Sequence, residues 1–468
     1  MSCLVRLFVL ALFARPGAAS TSEDPVRELL VDTPIATVVL PKTLEELSLG
    51  PGSGSLDGVE WPVSLKHIYF TETCCQDGFQ DFYRHIYGVV WPPFLETMSM
   101  GYTFDQPIEH VAWPPSLRKL DLCDNFNHPI ARAQWPTSLQ TLKFRDRFDH
   151  PITHVKWPAA LEELSFGSRF RQSIAGVVWP ASLRELSLGC LGPPIAGNVW
   201  PPSLRKLELG WQFNLPLDGV QWPDSLEQIV SWGIFNQPIV GARWPASLKV
   251  LSFGKRFNQT LAGVEWPASL RRLSIGAWIN SAFNQPISEV VWPAAMQELT
   301  FGENFNQPVA GVSWPDSLQR LSFCGGNNSS PLDECSFDQP IDGVAWPASL
   351  RQLNLGGGFN QPIQRVVWPA SLKKLRLGNF SQPMDEVAWP PSLRTLEFGD
   401  SSRLPIEAIE WPASLVELDL GRNERSMAGI VWPPSLRSVV TYQDTATAQE
   451  RRHIGPRRGV RRVEWLDT

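Results

Sequence analysis

Tyrosine is scarce in this chain of 468 residues: there are five, against 24 Phe and 21 Trp. Long apolar runs are absent after the N-terminal segment, so no membrane-crossing helix is expected. Charge of one sign is missing too. Lys and Arg number 41 against 47 Asp and Glu, a net charge of −6 over the whole length, which argues against a nucleic-acid partner. No GxSxG, HExxH, Walker or GxGxxG pattern stands in a strand-to-helix context. Gly356-Gly357-Gly358 is followed by no Lys-Ser/Thr, and pairs such as Glu162-Glu163 and Asp385-Glu386 read as solvated positions. No catalytic residue, cofactor or metal is therefore expected, and the chain reads as a non-enzyme.

What is abundant is Pro, with 42 residues, and much of it follows Trp. Trp-Pro occurs seventeen times, from Trp61 to Trp432, mostly at intervals of 21 or 22 residues. Three intervals are longer: 30 residues from Trp61 to Trp91, 26 from Trp266 to Trp292 and 32 from Trp314 to Trp346. Leu40-Pro41 opens a degenerate earlier copy, which makes eighteen units. A self-similar unit this short cannot bury its own apolar face, so the units must stack. In each unit a Leu-x-Phe/Leu pair alternates with polar residues, as in Leu164 and Phe166, which is the period of a half-buried strand. Gly follows, at Gly167, Gly189, Gly210, Gly254 and Gly302, where a turn with positive φ is expected. A Pro in every link forces extended geometry on the residue before it and leaves no room for a helix.

These residues predict a mostly β chain with very little helix: a parallel β-solenoid of about eighteen coils of about 22 residues. The solenoid is placed at 27–440, after a possible signal peptide at 1–20 with Arg6 before the apolar run from Leu7 to Phe13. Residues 441–468 form a basic tail or degenerate cap, with Arg451, Arg452, Arg457, Arg458, Arg461 and Arg462. The consensus WPxSLxxLxFGxxFNQPIxGVx resembles the FNIP repeat, a relative of leucine-rich repeats, in a variant where Trp-Pro replaces the more usual Leu-Pro. The resemblance implies an LRR-like solenoid. Some members of that family carry an N-terminal F-box; the segment before residue 27 is too short for one.

Within the stack, the Trp residues are expected to line one edge of the core and the Phe residues of FNQPI a parallel spine. Asn127, Asn214, Asn236, Asn258, Asn284, Asn306 and Asn360 are expected to form an interior ladder, since an unpaired buried amide costs about 1–3 kcal/mol. His128 and His150 stand where other units have Gln and read as polar turn residues rather than metal ligands. Of the seven Cys, Cys324 and Cys335 flank the insertion CGGNNSSPLDEC and are candidates for a disulfide in an oxidising compartment. Asn258, Asn327, Asn328 and Asn379 head glycosylation sequons that matter if the chain is secreted.

The expected function is a binding scaffold for protein or peptide. Its candidate strip is the residue between the paired apolar positions: Ser165, Ser187, Glu208, Ser252, Ser274, Thr300, Ser322 and Asn354. Carbohydrate recognition on exposed Trp faces, or a structural surface role, is the alternative. A monomer is expected, secreted or in the endomembrane system, with the cytoplasm as the other location.

Overall fold

A computed structural model describes residues 26–71, 86–190, 192–230, 233–276, 281–325, 335–399, 402, 409–421 and 430–441, and the backbone alone of 231, 442 and 460–464. The strands in chain order begin with β1 (Glu28–Val31), β2 (Glu46–Leu49), β3 (His67–Phe70), β4 (Thr97–Ser99), β5 (Lys119–Leu122), β6 (Thr141–Phe144) and β7 (Glu163–Phe166). Next come β8 (Glu185–Leu188), β9 (Lys206–Leu209), β10 (Gln228–Ser231), β11 (Val250–Phe253), β12 (Arg272–Ile275), β13 (Glu298–Phe301) and β14 (Arg320–Ser322). The series closes with β15 (Gln352–Asn354), β16 (Lys374–Gly378), β17 (Thr395–Phe398), β18 (Glu417–Asp419), β19 (Ser438–Tyr442) and β20 (Val460–Glu464). Among the described residues the only helical pieces are two short 3-10 turns, at Ile35–Thr37 and Pro51–Ser53.

From β1 to β19 each strand pairs in parallel with the next. β1 adds a coil ahead of the eighteen units counted from Leu40. Register is set by the repeat and survives the insertions. Thr97 pairs with His67, Glu298 with Arg272 and Gln352 with Arg320, so each insertion leaves the strand ladder untouched. A one-residue slip would expose the Leu column, which is why the ladder holds register while the loops absorb extra length. At the far end β20 pairs antiparallel with β19, Ser438 facing Glu464 and Tyr442 facing Val460. The edge of the parallel sheet is covered there by the chain's own tail.

One coil shows why the sequence folds this way. After β7, Phe170 N–H donates to Gly167 O at 3.2 Å, closing a first turn. Val177 N–H donates to Ile174 O at 3.2 Å across a second, and Leu183 N–H to Pro180 O at 3.1 Å across a third. Three four-residue turns joined by extended legs leave no continuous helical stretch, as the spacing of Pro predicted. The leg before Trp-Pro forms no second strand in the described coils.

The two glycines of a coil have different causes. Gly176, third in its turn, has φ 75°, the left-handed geometry a type II turn requires. The glycine that ends the strand is outside that region at Gly167, Gly189, Gly210, Gly254 and Gly302, and inside it at Gly276, Gly356, Gly378 and Gly421. At Gly189 a Cβ would overlap the carbonyl oxygen of Gly167, and at Gly210 that of Gly189. The expectation of positive φ at those strand-end positions is thus corrected. They are glycines because successive coils touch backbone to backbone.

Inward-facing side chains make one continuous core. Leu161, Leu164, Phe166, Phe170, Ile174 and Val177 are all buried within one coil. Phe rings of successive coils stack: Phe213 on Phe235 at 5.8 Å between centroids, Phe235 on Phe257 at 6.1 Å, and Phe257 on Phe283 at 6.2 Å. Within a coil the strand Phe meets the turn Phe closely, as with Phe166 and Phe170 at 4.2 Å. Offset stacks of this kind contribute about 0.5–1.5 kcal/mol beyond area burial.

Candidate functional site: the outward strand face

Because the strands are in register, the residue between the two apolar positions recurs at the same height in every coil. Ser165 faces Ser187, which faces Glu208; beyond Val230, Ser252 faces Ser274, then Thr300, Ser322 and Asn354. All eight members of the strip are half-buried. Val230 interrupts them and is buried. The face therefore offers hydroxyl and amide groups at one-strand intervals, without an aromatic anchor.

Charge brackets this strip. Lys143 Nζ lies 2.6 Å from Glu163, Lys206 Nζ 2.7 Å from Glu208, and Glu397 receives both Lys374 at 2.6 Å and Arg376 at 3.1 Å. Exposed pairs of this type contribute about 0–1 kcal/mol each. Asp121 holds the Arg145 guanidinium above its ordinary pKa through a side-chain hydrogen bond, so that cation is fixed in place. Burial raises the Tyr69 phenol, aided by Glu46.

The face carries a depression of about 320 Å³ over β13–β16, lined by residues that include Glu298, Thr300, Arg320, Gln352, Lys374 and Arg376. The insertion after β14 is anchored beside it. Cys324 and Cys335 are disulfide-bonded with Cα atoms 5.6 Å apart. Ser322 Oγ donates to Cys324 O at 2.8 Å, and Asn354 Nδ2 donates to Ser322 Oγ at 3.1 Å. Two strip residues thus hold the root of the insertion, and the cations lining the depression are paired, Arg320 with Glu298 and Lys374 and Arg376 with Glu397.

The Trp edge is different. Trp179, Trp200, Trp292 and Trp314 are buried and Trp157 is half-buried. Trp157 and Trp179 stack at 6.4 Å with planes 15° apart, so each indole lays one face on its neighbour. Buried indole N–H groups without an acceptor recur along this edge, for example at Trp157, Trp179, Trp292 and Trp314. The repeating Trp are core. Trp211, outside the Trp-Pro series, is exposed and has the Lys255 ammonium 5.2 Å from its ring.

The Asn ladder exists, but not in the interior. Asn236 Oδ1 accepts from Asn258 N–H at 2.8 Å and from Gln259 Nε2 at 3.0 Å, and Asn258 Oδ1 in turn accepts from Asn284 N–H at 2.9 Å. Asn127 and Asn284 are exposed and Asn236 and Asn258 half-buried. The N–H groups they satisfy lie at the rim of the turn, which is why the ladder sits there. Asp takes the same role at Asp105, Asp149 and Asp338. His128 Nε2 lies 3.0 Å from Asp105 O and His150 Nε2 2.9 Å from Asn127 O, the Gln position filled by His. A second ladder has no counterpart in the sequence reading. Ser247 Oγ donates to Leu226 O at 2.7 Å and Ser269 Oγ to Leu248 O at 2.7 Å, and the Ser of WPxSL repeats the bond along the stack. Its recurrence in the consensus was the available signal.

Of the sequon residues, Asn258 and Asn379 are half-buried. Asn327 and Asn328 lie outside the described residues, as do the segment 1–20 and the Arg-rich stretch before residue 460.

Comparison with known families matches the FNIP Repeat model at residues 104–147, 235–277, 283–333 and 337–380. These four stretches of the solenoid are FNIP repeats. Among solved structures, CroV588, described as a novel circular LRR protein, is 34% identical with a TM-score of 0.68. That alignment covers 86% of this chain and 56% of CroV588, so the chain spans little more than half its length. Toll from Drosophila, solved in complex with Spatzle, aligns over 86% of this chain and 50% of its own at 13% identity and a TM-score of 0.51. YopM from Yersinia enterocolitica aligns at 18% identity, covering 86% of this chain and 83% of its own, with a TM-score of 0.45. No curated protein matches the chain. The coils share the leucine-rich-repeat fold with CroV588.

Proposed function

We propose that this chain is a non-catalytic scaffold that binds a protein or peptide on its outward strand face. The observation that carries the reading is the in-register strip from Ser165 to Asn354. Stacking makes it continuous and sets small polar groups along it at one-strand spacing. Solenoids of this class commonly bind along such surfaces. The described residues hold no cluster of His, Cys, Asp and Glu suited to a metal. The Cys324–Cys335 bond supports an oxidising compartment, consistent with a secreted or endomembrane location. A structural surface role without a ligand is the competing reading, favoured by the uniform Ser and Thr from β11 to β14.

The test is affinity capture with the intact chain beside a version carrying Ser252→Glu, Ser274→Glu and Thr300→Glu. The half-exposed face accepts these bulky charged side chains at little cost to the fold. A partner enriched by the intact chain and lost with the triple variant is the expected result. A partner retained equally by both places binding elsewhere, and no enrichment over a control supports the structural role.

A further inference from the structure

We infer that the strand face from β12 to β17 docks an acidic, extended segment of the partner protein. The inference rests on the protein-binding reading above and adds to it the chemistry of the ligand.

The residue entering each strand and the two outward strand positions carry eight cations and two carboxylates between Arg271 and Glu397, on a chain whose net charge is −6. The carboxylates are shared. Glu298 sits between Arg272, at 3.4 Å, and Arg320, and Glu397 between Lys374 and Arg376. Four cations remain. Arg271, Arg351, Lys373 and Arg394 are exposed, and among the described residues none has a carboxylate within 4.0 Å. Arg351, Lys373 and Arg394 enter consecutive strands, so they form a row at about one strand spacing, ~4.8 Å. On β7–β10 the same positions are net acidic, with Glu162, Glu163, Glu185, Glu208 and Glu227 against Arg184, Arg205 and Lys206. The charge is confined to one half of the sheet.

Several anions would meet a positive face, and the lining chooses among them. No aromatic side chain stands on the outward positions of β12–β17, so there is no platform for nucleobases. Between the cations lie Gln297, Thr300, Gln319 and Gln352. Amides and hydroxyls of this kind pair with the N–H and C=O groups of a peptide backbone, which a polysulfate lacks. At ~3.4 Å per residue, about eight extended residues span the six strands. Acidic side chains on one face of such a peptide reach the unpaired row, and complementary charge raises the rate of encounter.

The experiment uses the full chain and a fluorescein-labelled peptide of about eight residues rich in Asp and Glu, read by anisotropy. A Lys-rich peptide, a short DNA duplex and a heparin oligosaccharide serve as comparators. Binding of the acidic peptide is expected, weakening as salt rises from about 0.05 to 0.5 M. Arg351→Glu with Lys373→Glu and Arg394→Glu is expected to weaken it at least about tenfold. Arg118→Glu with Arg184→Glu and Arg205→Glu, the same charge change elsewhere on the sheet, is expected to change it less than about threefold. Unchanged circular dichroism certifies both variants as folded. No binding of the acidic peptide, equal loss in the two variants, or tighter binding of DNA or heparin overturns the inference. If capture of a protein is blocked by the Ser252, Ser274 and Thr300 variant while the peptide does not bind, this inference alone falls. If neither occurs, the protein-binding reading falls with it.

Discussion

Replacing Asn236 by Ala removes the acceptor of two inter-coil hydrogen bonds, from Asn258 N–H at 2.8 Å and Gln259 Nε2 at 3.0 Å. Each is worth about 1 kcal/mol net, and the backbone N–H left behind sits in a half-buried turn where water replaces the oxygen only in part. The expected loss is roughly 2 kcal/mol, local to the joint between two coils. Asn236→Asp is the control, because Asp105, Asp149 and Asp338 already accept from the next coil in the same register. It should stay within about 0.5 kcal/mol of the parent. Global unfolding of a long repeat array need not be two-state, so the assay is hydrogen exchange at the Asn258 amide. Asn236→Ala should speed that exchange by about 30-fold, the equivalent of 2 kcal/mol, and Asn236→Asp by less than about threefold. Equal exchange in Ala, Asp and parent chains would refute the ladder as a stabilising element.

Three further outcomes follow from the coil geometry. Gly210→Ala drives a Cβ into the Gly189 carbonyl and should destabilise by more than about 2 kcal/mol, while Gly219→Ala, with φ 71° and open space around it, should cost only about 1 kcal/mol; urea titration followed by Trp fluorescence separates them. Glu386 holds φ 59° in the register where other coils have glycine, so Glu386→Gly should raise stability by up to about 1 kcal/mol in the same titration, and a loss would contradict the strain assigned to it. Cutting the Cys324–Cys335 bond by paired Ser substitutions releases a loop with a sequence separation of 11, and should lower stability by roughly 2–3 kcal/mol; exchange should rise around β14 and β15 while β5–β8 is unchanged.

Most of the fold was legible because the repeat states it many times over. Leu164 and Phe166 give the strand, Trp-Pro the corner, and the three long intervals locate the insertions across which the strand register is kept. What misled was chemistry that one letter can serve in two ways. Gly210 and Gly219 look alike in sequence, yet one answers to backbone contact between coils and the other to a left-handed turn. Asn236 reads as a core amide because it follows a buried Phe, but the N–H it satisfies lies at the rim. The Ser247 bond to Leu226 was missed because hydroxyls in turns usually face water. The residues from Ser165 to Asn354 share one column of the sheet, whereas the charge beside it is hidden in a near-balanced total. Arg351, Lys373 and Arg394 join only once the strands are stacked.

Site-specific photocrosslinking tests the central claim most directly. A photoreactive residue placed at Thr300, on the strand face, is compared with one at Val178, exposed on the Trp-Pro edge. The account predicts that a partner protein crosslinks from Thr300 and not from Val178. Crosslinks that arise only from Val178 would contradict it, and would move the binding surface from the sheet to the Trp-Pro edge.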